Sequence, residues 1–130
     1  SRRRLTLPIE DENKLYSSAK ISLNFHEREA SQSFNVAQDK DYDLLNQRTF
    51  KIPASGGFEI CDKVPSLRQY FAENEVVMTV NDNDWFQKID YYLTHEKERL
   101  AIKEKGTARA LRDHTYHTRI KTLFQLIGFY

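Results

Sequence analysis

Cysteine, methionine and tryptophan each occur once in the 130 residues, as Cys61, Met78 and Trp85, and glycine and proline are scarce at four and three. A single cysteine permits no intrachain disulfide, and neither CxxC pairs nor Cys/His zinc spacings can be assembled from it. The expected setting is reducing and cytoplasmic. No apolar run approaches the roughly 18 to 20 residues of a membrane-spanning helix, and no charged-then-apolar leader opens the chain, so no membrane span is expected. Charge of one sign is also lacking: 20 Lys+Arg stand against 19 Asp+Glu, a formal net charge of +1. Without a global field to attract a polyanion, nucleic acid and anionic membranes are not expected partners, and any anion site must be local. The chain begins Ser1-Arg2-Arg3-Arg4 with no initiator methionine, and is expected to be a fragment or a processed product.

What is present suffices for one core. Hydrophobic residues make up 39% of the chain and include eight Phe and seven Tyr, and a chain of this length buries roughly two-thirds of its unfolded surface. One domain spanning residues 1–130 is expected. Leu15, Tyr16 and Ala19 fall at near-helical spacing in a stretch from Asp11 to Ala19, and a short, partly alternating strand follows from Lys20 to His26. Residues 27–42 shift to Ser, Gln, Asn, Asp and Lys, the composition of a long loop. A helix is predicted from Asp43, at its N-terminus, to Ile52, with Pro53 kinking it and Gly56-Gly57 ending it. Phe58 to Cys61 is a predicted strand, Pro65 opens a short helix through Phe71, and the β-branched run Glu75 to Val80 is the clearest strand signal.

Three helices close the chain. The first carries Trp85, Phe86, Ile89, Tyr92 and Leu93 behind a cap at Asn81 or Asp82; the second carries Leu100, Ala101, Ala108 and Leu111; the third has the best stripe, Tyr116, Ile120, Leu123, Phe124 and Ile127. Single strands alternating with helices define an α/β domain: a Rossmann-like half domain of three to four parallel strands flanked by helices, with a helical tail and no internal repeat.

In open parallel sheets ligands bind beyond the carboxyl ends of the strands. Attention therefore falls on Asn24 to His26, on the polar loop and on the Asp43 helix start. A helix N-terminus presents free N–H groups, and Asn46, Arg48 and Lys51 behind it form a donor-rich set suited to a diphosphate; the same spacing also fits a solvated helix face. His26, directly after an apolar strand, suits either phosphate contact or proton transfer, or is a plain polar strand terminus. His95, His114 and His117 have no partner at ligand spacing, so no metal is expected. Gly56-Gly57 precedes a strand and lacks the pattern of a phosphate loop, and no nucleophile, dyad or carboxylate pair stands out.

Asn24-Phe25-His26, the run from Asn46 to Asp62 with its Asn-x-Arg-x-Phe-x-Ile-Pro-Ala-x-Gly-Gly-Phe core, the helix over 84–93 and the stretch from Glu96 to His114 before Tyr116 together resemble the C-terminal domain of CgeB-like glycosyltransferases. The resemblance extends from about Leu15 to Phe124. It implies a retaining enzyme of the GT-B fold, in which two Rossmann-like domains face a cleft and the C-terminal one binds a nucleoside diphosphate sugar. It further implies a diphosphate leaving group stabilised by a helix N-terminus and basic side chains, with no obligatory metal and no cofactor. Asn24 and His26 would then face the donor cleft, with Asn46 and Arg48 near the diphosphate. Lys51 departs from the pattern, because the family run carries an acid after the Phe, and in the wider retaining set that acid holds the ribose hydroxyls. Asp43 stands eight residues earlier, where a second acid often occurs. A lysine cannot accept hydrogen bonds from hydroxyls, so Lys51 either reaches phosphate or marks weakened donor binding. The chain lacks an N-terminal acceptor domain and is not expected to turn over alone. The alternative is a degenerate, non-catalytic domain of the same fold serving protein contacts; a receiver-type regulatory domain would need an acidic cluster at the first strand end, which is missing.

Overall fold

The computed structural model describes residues 8–26 and 44–128; the predicted loop over 27–42 and the predicted helix start at Asp43 lie outside them. The order of elements is α1 (Ile9–Ser18), β1 (Ser22–Asn24), α2 (Arg48–Ala54), β2 (Glu59–Cys61), a 3-10 turn (Pro65–Gln69), β3 (Val77–Met78), α3 (Asp82–Thr94), α4 (Glu96–Asp113) and α5 (Tyr116–Leu126). The three strands form one parallel sheet in the order β1-β2-β3, with Ser22 opposite Glu59 and Ile60 opposite Val77. This is the Rossmann-like half domain that the alternation of elements predicts.

Two helix boundaries follow from side-chain chemistry. Residues 44–46 are not helical and α2 begins at Arg48, five residues beyond the predicted start. Asn46 Oδ1 accepts the Thr49 N–H at 3.0 Å, the capping bond that the sequence assigned to Asp43. At the other end the helix runs through Pro53 to Ala54. There Gly56, at φ +82°, donates to the Pro53 carbonyl and Gly57 to the Ile52 carbonyl, a Schellman closure that requires the left-handed residue. The expected strand over Glu75 to Val80 shrinks to two residues. Its leading end is held in a turn by Glu75 and Val76 N–H bonds to the Ala72 carbonyl, and its trailing end by Val80 N–H to Asp84 Oδ2.

Strand alternation sends side chains to the two sheet faces and builds a core on each. Cys61 packs with Leu67, Phe71, Val76 and Ala110, joined by Phe50 of α2. Phe58, Ile60 and Val77 pack with Trp85 of α3, joined by Ile102 of α4. Helix α4 thus reaches both cores, and it comes so close to the turn before β3 that a Cβ on Gly106 would stand 2.3 Å from the Glu75 carbonyl oxygen.

Candidate functional site at the strand ends

The carboxyl ends of β1 and β2 and the start of α2 meet around a polar cluster. Asn24, the last residue of β1, is fully buried, as is Thr49 in the first turn of α2. Asn24 Nδ2 donates to Glu59 Oε1 at 2.8 Å and to Asn46 Oδ1 at 3.0 Å, while Asn46 Nδ2 donates back to Asn24 Oδ1 at 2.9 Å. His26 is buried too. Its Nδ1 faces Asp62 Oδ1 at 2.5 Å, its backbone N–H donates to the same oxygen at 3.1 Å, and its Nε2 lies 3.1 Å from Thr49 Oγ1. A continuous hydrogen-bonded chain therefore runs from Asp62 through His26, Thr49 and the two asparagines to Glu59.

Its two carboxyl groups titrate in opposite directions. Burial pushes Glu59 well above the ordinary carboxyl range; the Asn24 hydrogen bond and the Arg48 charge oppose the rise and the Asp62 charge adds to it. Burial therefore favours the neutral acid, and its buried Oε2 has no hydrogen-bond partner among the described residues. Burial pushes Asp62 up as well, but hydrogen bonds from the His26 ring and backbone, together with the imidazole charge, outweigh it and leave Asp62 below the ordinary range.

Asn24, His26, Asn46 and Arg48 are all brought to this end of the sheet. Arg48 is half-buried and donates through Nη2 to the Phe25 carbonyl at 3.0 Å. Lys51, about a turn further along α2, is directed instead to Glu12 of α1, with Nζ to Oε2 at 2.6 Å. The hydrogen bonds from Lys51 and from the Tyr16 hydroxyl hold the Glu12 carboxyl below its usual range. Asp43 lies outside the described residues. Thr49, Glu59 and Asp62 were not singled out from the sequence. One signal for Glu59 was available, a carboxyl residue inside the apolar run Phe58-Glu59-Ile60-Cys61, whereas the pairing of Asp62 with His26 across 36 positions requires the strand register.

The remaining histidines are accounted for locally. His95 stacks on Tyr91, and His114 bonds through Nε2 to the Tyr70 carbonyl amid the Phe50, Tyr70 and Phe71 rings; His117, on α5, is exposed. Among the described residues no group of three or more His, Cys, Asp and Glu side chains could hold a metal ion, and no helix is long and apolar enough to cross a membrane. A shallow groove lined by Gly56, Leu100 and Thr107 lies on α4, beside the turn that leads into β2, at the opposite end of the sheet from the polar cluster.

A three-stranded parallel sheet flanked by helices defines the class: an α/β, Rossmann-like half domain. The chain belongs to the glycosyl transferase-like family, whose sequence profile matches residues 2–125. Glycosyl transfer is therefore its general class of activity. No curated protein and no solved structure gives a significant match.

Proposed function

We propose that this chain is the nucleotide-sugar-binding part of a two-domain, GT-B-type glycosyltransferase of the CgeB-like kind, and that the strand-end cluster is its donor site. One observation carries the reading: Asn24, His26, Asn46 and Arg48, which the resemblance points to, gather beyond the carboxyl ends of two adjacent parallel strands, where open sheets bind ligands. Arg48 uses one N–H on the Phe25 carbonyl and retains other donors for a diphosphate, the group its planar fork suits. Asn46 adds a neutral donor. Asn24 and His26 support the site from beneath, and Asp43, three positions before Asn46 in the sequence, is included in the proposed donor-binding set. Lys51 reaches a phosphate only by releasing Glu12.

The acceptor domain and the first half of the sheet would lie outside this chain. In support, β1 pairs only with β2 among the described residues, and its central residue Leu23 and the following Phe25 are 43% and 55% exposed, although parallel sheets normally bury both faces. A non-catalytic domain of the same fold is the second reading, favoured by the ion pair that occupies Lys51.

Titration of the chain with uridine and guanosine diphosphates, followed by backbone amide shifts, tests the donor site. Shifts are expected at residues 24–26 and 44–51, and Arg48→Ala is expected to lower affinity by about tenfold or more, the worth of a charge-assisted hydrogen bond. Shifts confined to α5, or none at millimolar ligand, would remove the assignment.

A further inference from the structure

The formal net charge of +1 averages two regions of opposite sign. Residues 8–98 carry ten Lys and Arg against seventeen Asp and Glu, whereas residues 99–130 carry seven against two. Both acids of the basic region, Glu104 and Asp113, lie on α4, and Asp113 is paired with Arg109 at 2.7 Å and Arg112 at 2.9 Å. Residues 114–130, which contain α5, hold Arg119, Lys121, His114 and His117 and no acidic side chain.

The same helix has an open apolar face. No residue of α5 is buried. At 3.6 residues per turn, Tyr116, Ile120, Leu123, Leu126 and Ile127 share an arc of about 120°, and each of the five is at least half exposed, Tyr116 and Leu126 the most at 79% and 80%. His117 and Lys121 follow on one side of the arc. Near its other margin stands Arg119, with its guanidinium over the Phe50 ring. Cations alone would suit a nucleic acid, and an apolar arc alone would suit another protein. Both on one helix suit an anionic lipid surface, which receives apolar side chains below its headgroups and lysine or arginine among them. With 11 residues, α5 is too short to span a bilayer and would lie along its surface. Helix α3 supplies the contrast: its exposed Phe86 and Leu93 stand on one stripe with Asp82 and Asp90, acids that an anionic surface repels.

We propose that α5 is a peripheral membrane anchor, laying its apolar arc on an anionic lipid surface with Lys121 and Arg119 among the headgroups. The anchor does not require the strand-end cluster to hold a nucleotide, so either can fail alone.

Co-sedimentation of the 130-residue chain with vesicles of phosphatidylglycerol or of phosphatidylcholine, at low salt, provides the test. Binding to the anionic vesicles is expected to be at least about tenfold tighter and to weaken as salt is raised. Lys121→Glu is expected to weaken it about fivefold or more, since one basic residue near such a surface is worth about that factor. Ile120→Gln combined with Leu123→Gln should weaken it about tenfold or more, whereas Leu100→Gln, at an exposed apolar position near the start of α4, should stay within about twofold of the parent. In phosphatidylglycerol bicelles carrying a nitroxide-labelled lipid, amide signals over 116–127 are expected to broaden while those of β2 stay sharp. Equal binding to both lipids would overturn the proposal, as would broadening centred on α1 or α3, or a Lys121→Glu chain that binds like the parent. Absence of binding to either vesicle would overturn it too and leave the face to a protein surface. Sedimentation without lipid that grows with protein concentration and disappears in the double variant would give the face to a second copy instead. If the double variant fails to fold, Lys121→Glu and the broadening pattern decide.

Discussion

The start of α2 and the tail helix α5 invert the usual placement of side chains. Asn24, Thr49 and Glu59 are polar and at most 1% exposed, whereas Ile120, Leu123 and Ile127 are apolar and 50 to 57% exposed. Burying three polar side chains is tolerable because nearly every donor and acceptor among them is matched, and an unmatched one would cost about 1–3 kcal/mol. Exposing three apolar ones is tolerable because α5 is short, capped by Thr115 on the Thr118 N–H at 3.2 Å, and tied back by Arg119 over the Phe50 ring at 4.7 Å. Amphipathic periodicity therefore establishes that a helix has an apolar face, and says nothing of what that face meets.

The sharpest way to break the contrast is to delete the same kind of group from each region. Ile60 is 0% exposed at the centre of the sheet. Ile60→Ala removes buried methyl groups and leaves a cavity between β2 and α3, with an expected loss of about 2–5 kcal/mol in urea unfolding. A loss under about 1 kcal/mol would mean that the core collapses onto the gap, and that the sheet is far looser than its packing indicates.

The buried polar region makes a prediction of different form. Glu59 has a raised carboxyl pKa in the folded chain, so the folded state binds more protons than the unfolded state above the ordinary value of 4.5. Stability is then complete below that value and falls as pH rises through the window above it, by at most about 1.4 kcal/mol per pH unit for one group. Asp62, lowered from 3.8, acts oppositely: its contribution is present above that value and is lost as pH falls further. Thermal unfolding from pH 4.5 to 8 should show the Glu59 slope, and Glu59→Gln, close in shape to the neutral acid, should remove it. A slope that survives the substitution would assign it to another group.

These two regions also mark what the sequence disclosed. The strands around Ile60 and Val77, the α3 cap at Asn81, which accepts the Asp84 N–H at 2.8 Å, and the α2 stop at Gly56 were legible because each depends on local chemistry within a few residues. Asn24, His26, Asn46 and Arg48 were legible as a set from the strand ends and the resemblance. The start of α2 was misplaced because Asp43 and Asn46 are both good caps, and only the Thr49 N–H bond distinguishes them. Lys51 was expected to reach phosphate or to mark weakened donor binding, and its ion pair with Glu12, 39 positions away, was not legible because the two come together only once α1 folds against α2. The carboxyl of Asp62 was overlooked for the same reason: its partner is brought near by the parallel register of β1 and β2.

The smallest effect is expected on α5. Leu123 is 53% exposed, so truncation to alanine removes about half of the 1.5–3 kcal/mol that full burial of a leucine is worth. Alanine's higher helix propensity returns a few tenths. Leu123→Ala should therefore cost about 1 kcal/mol or less, against the several expected at Ile60, when both are unfolded in urea at low protein concentration. The comparison is sharpened by repeating it at concentrations a hundredfold apart. Side chains that face water give a value independent of concentration. A loss above about 2 kcal/mol that grows with concentration would show that α5 is covered by another copy in solution, because association stabilises by mass action. The same loss at every concentration would show that the helix packs onto its own chain, and the contrast between the two regions would disappear.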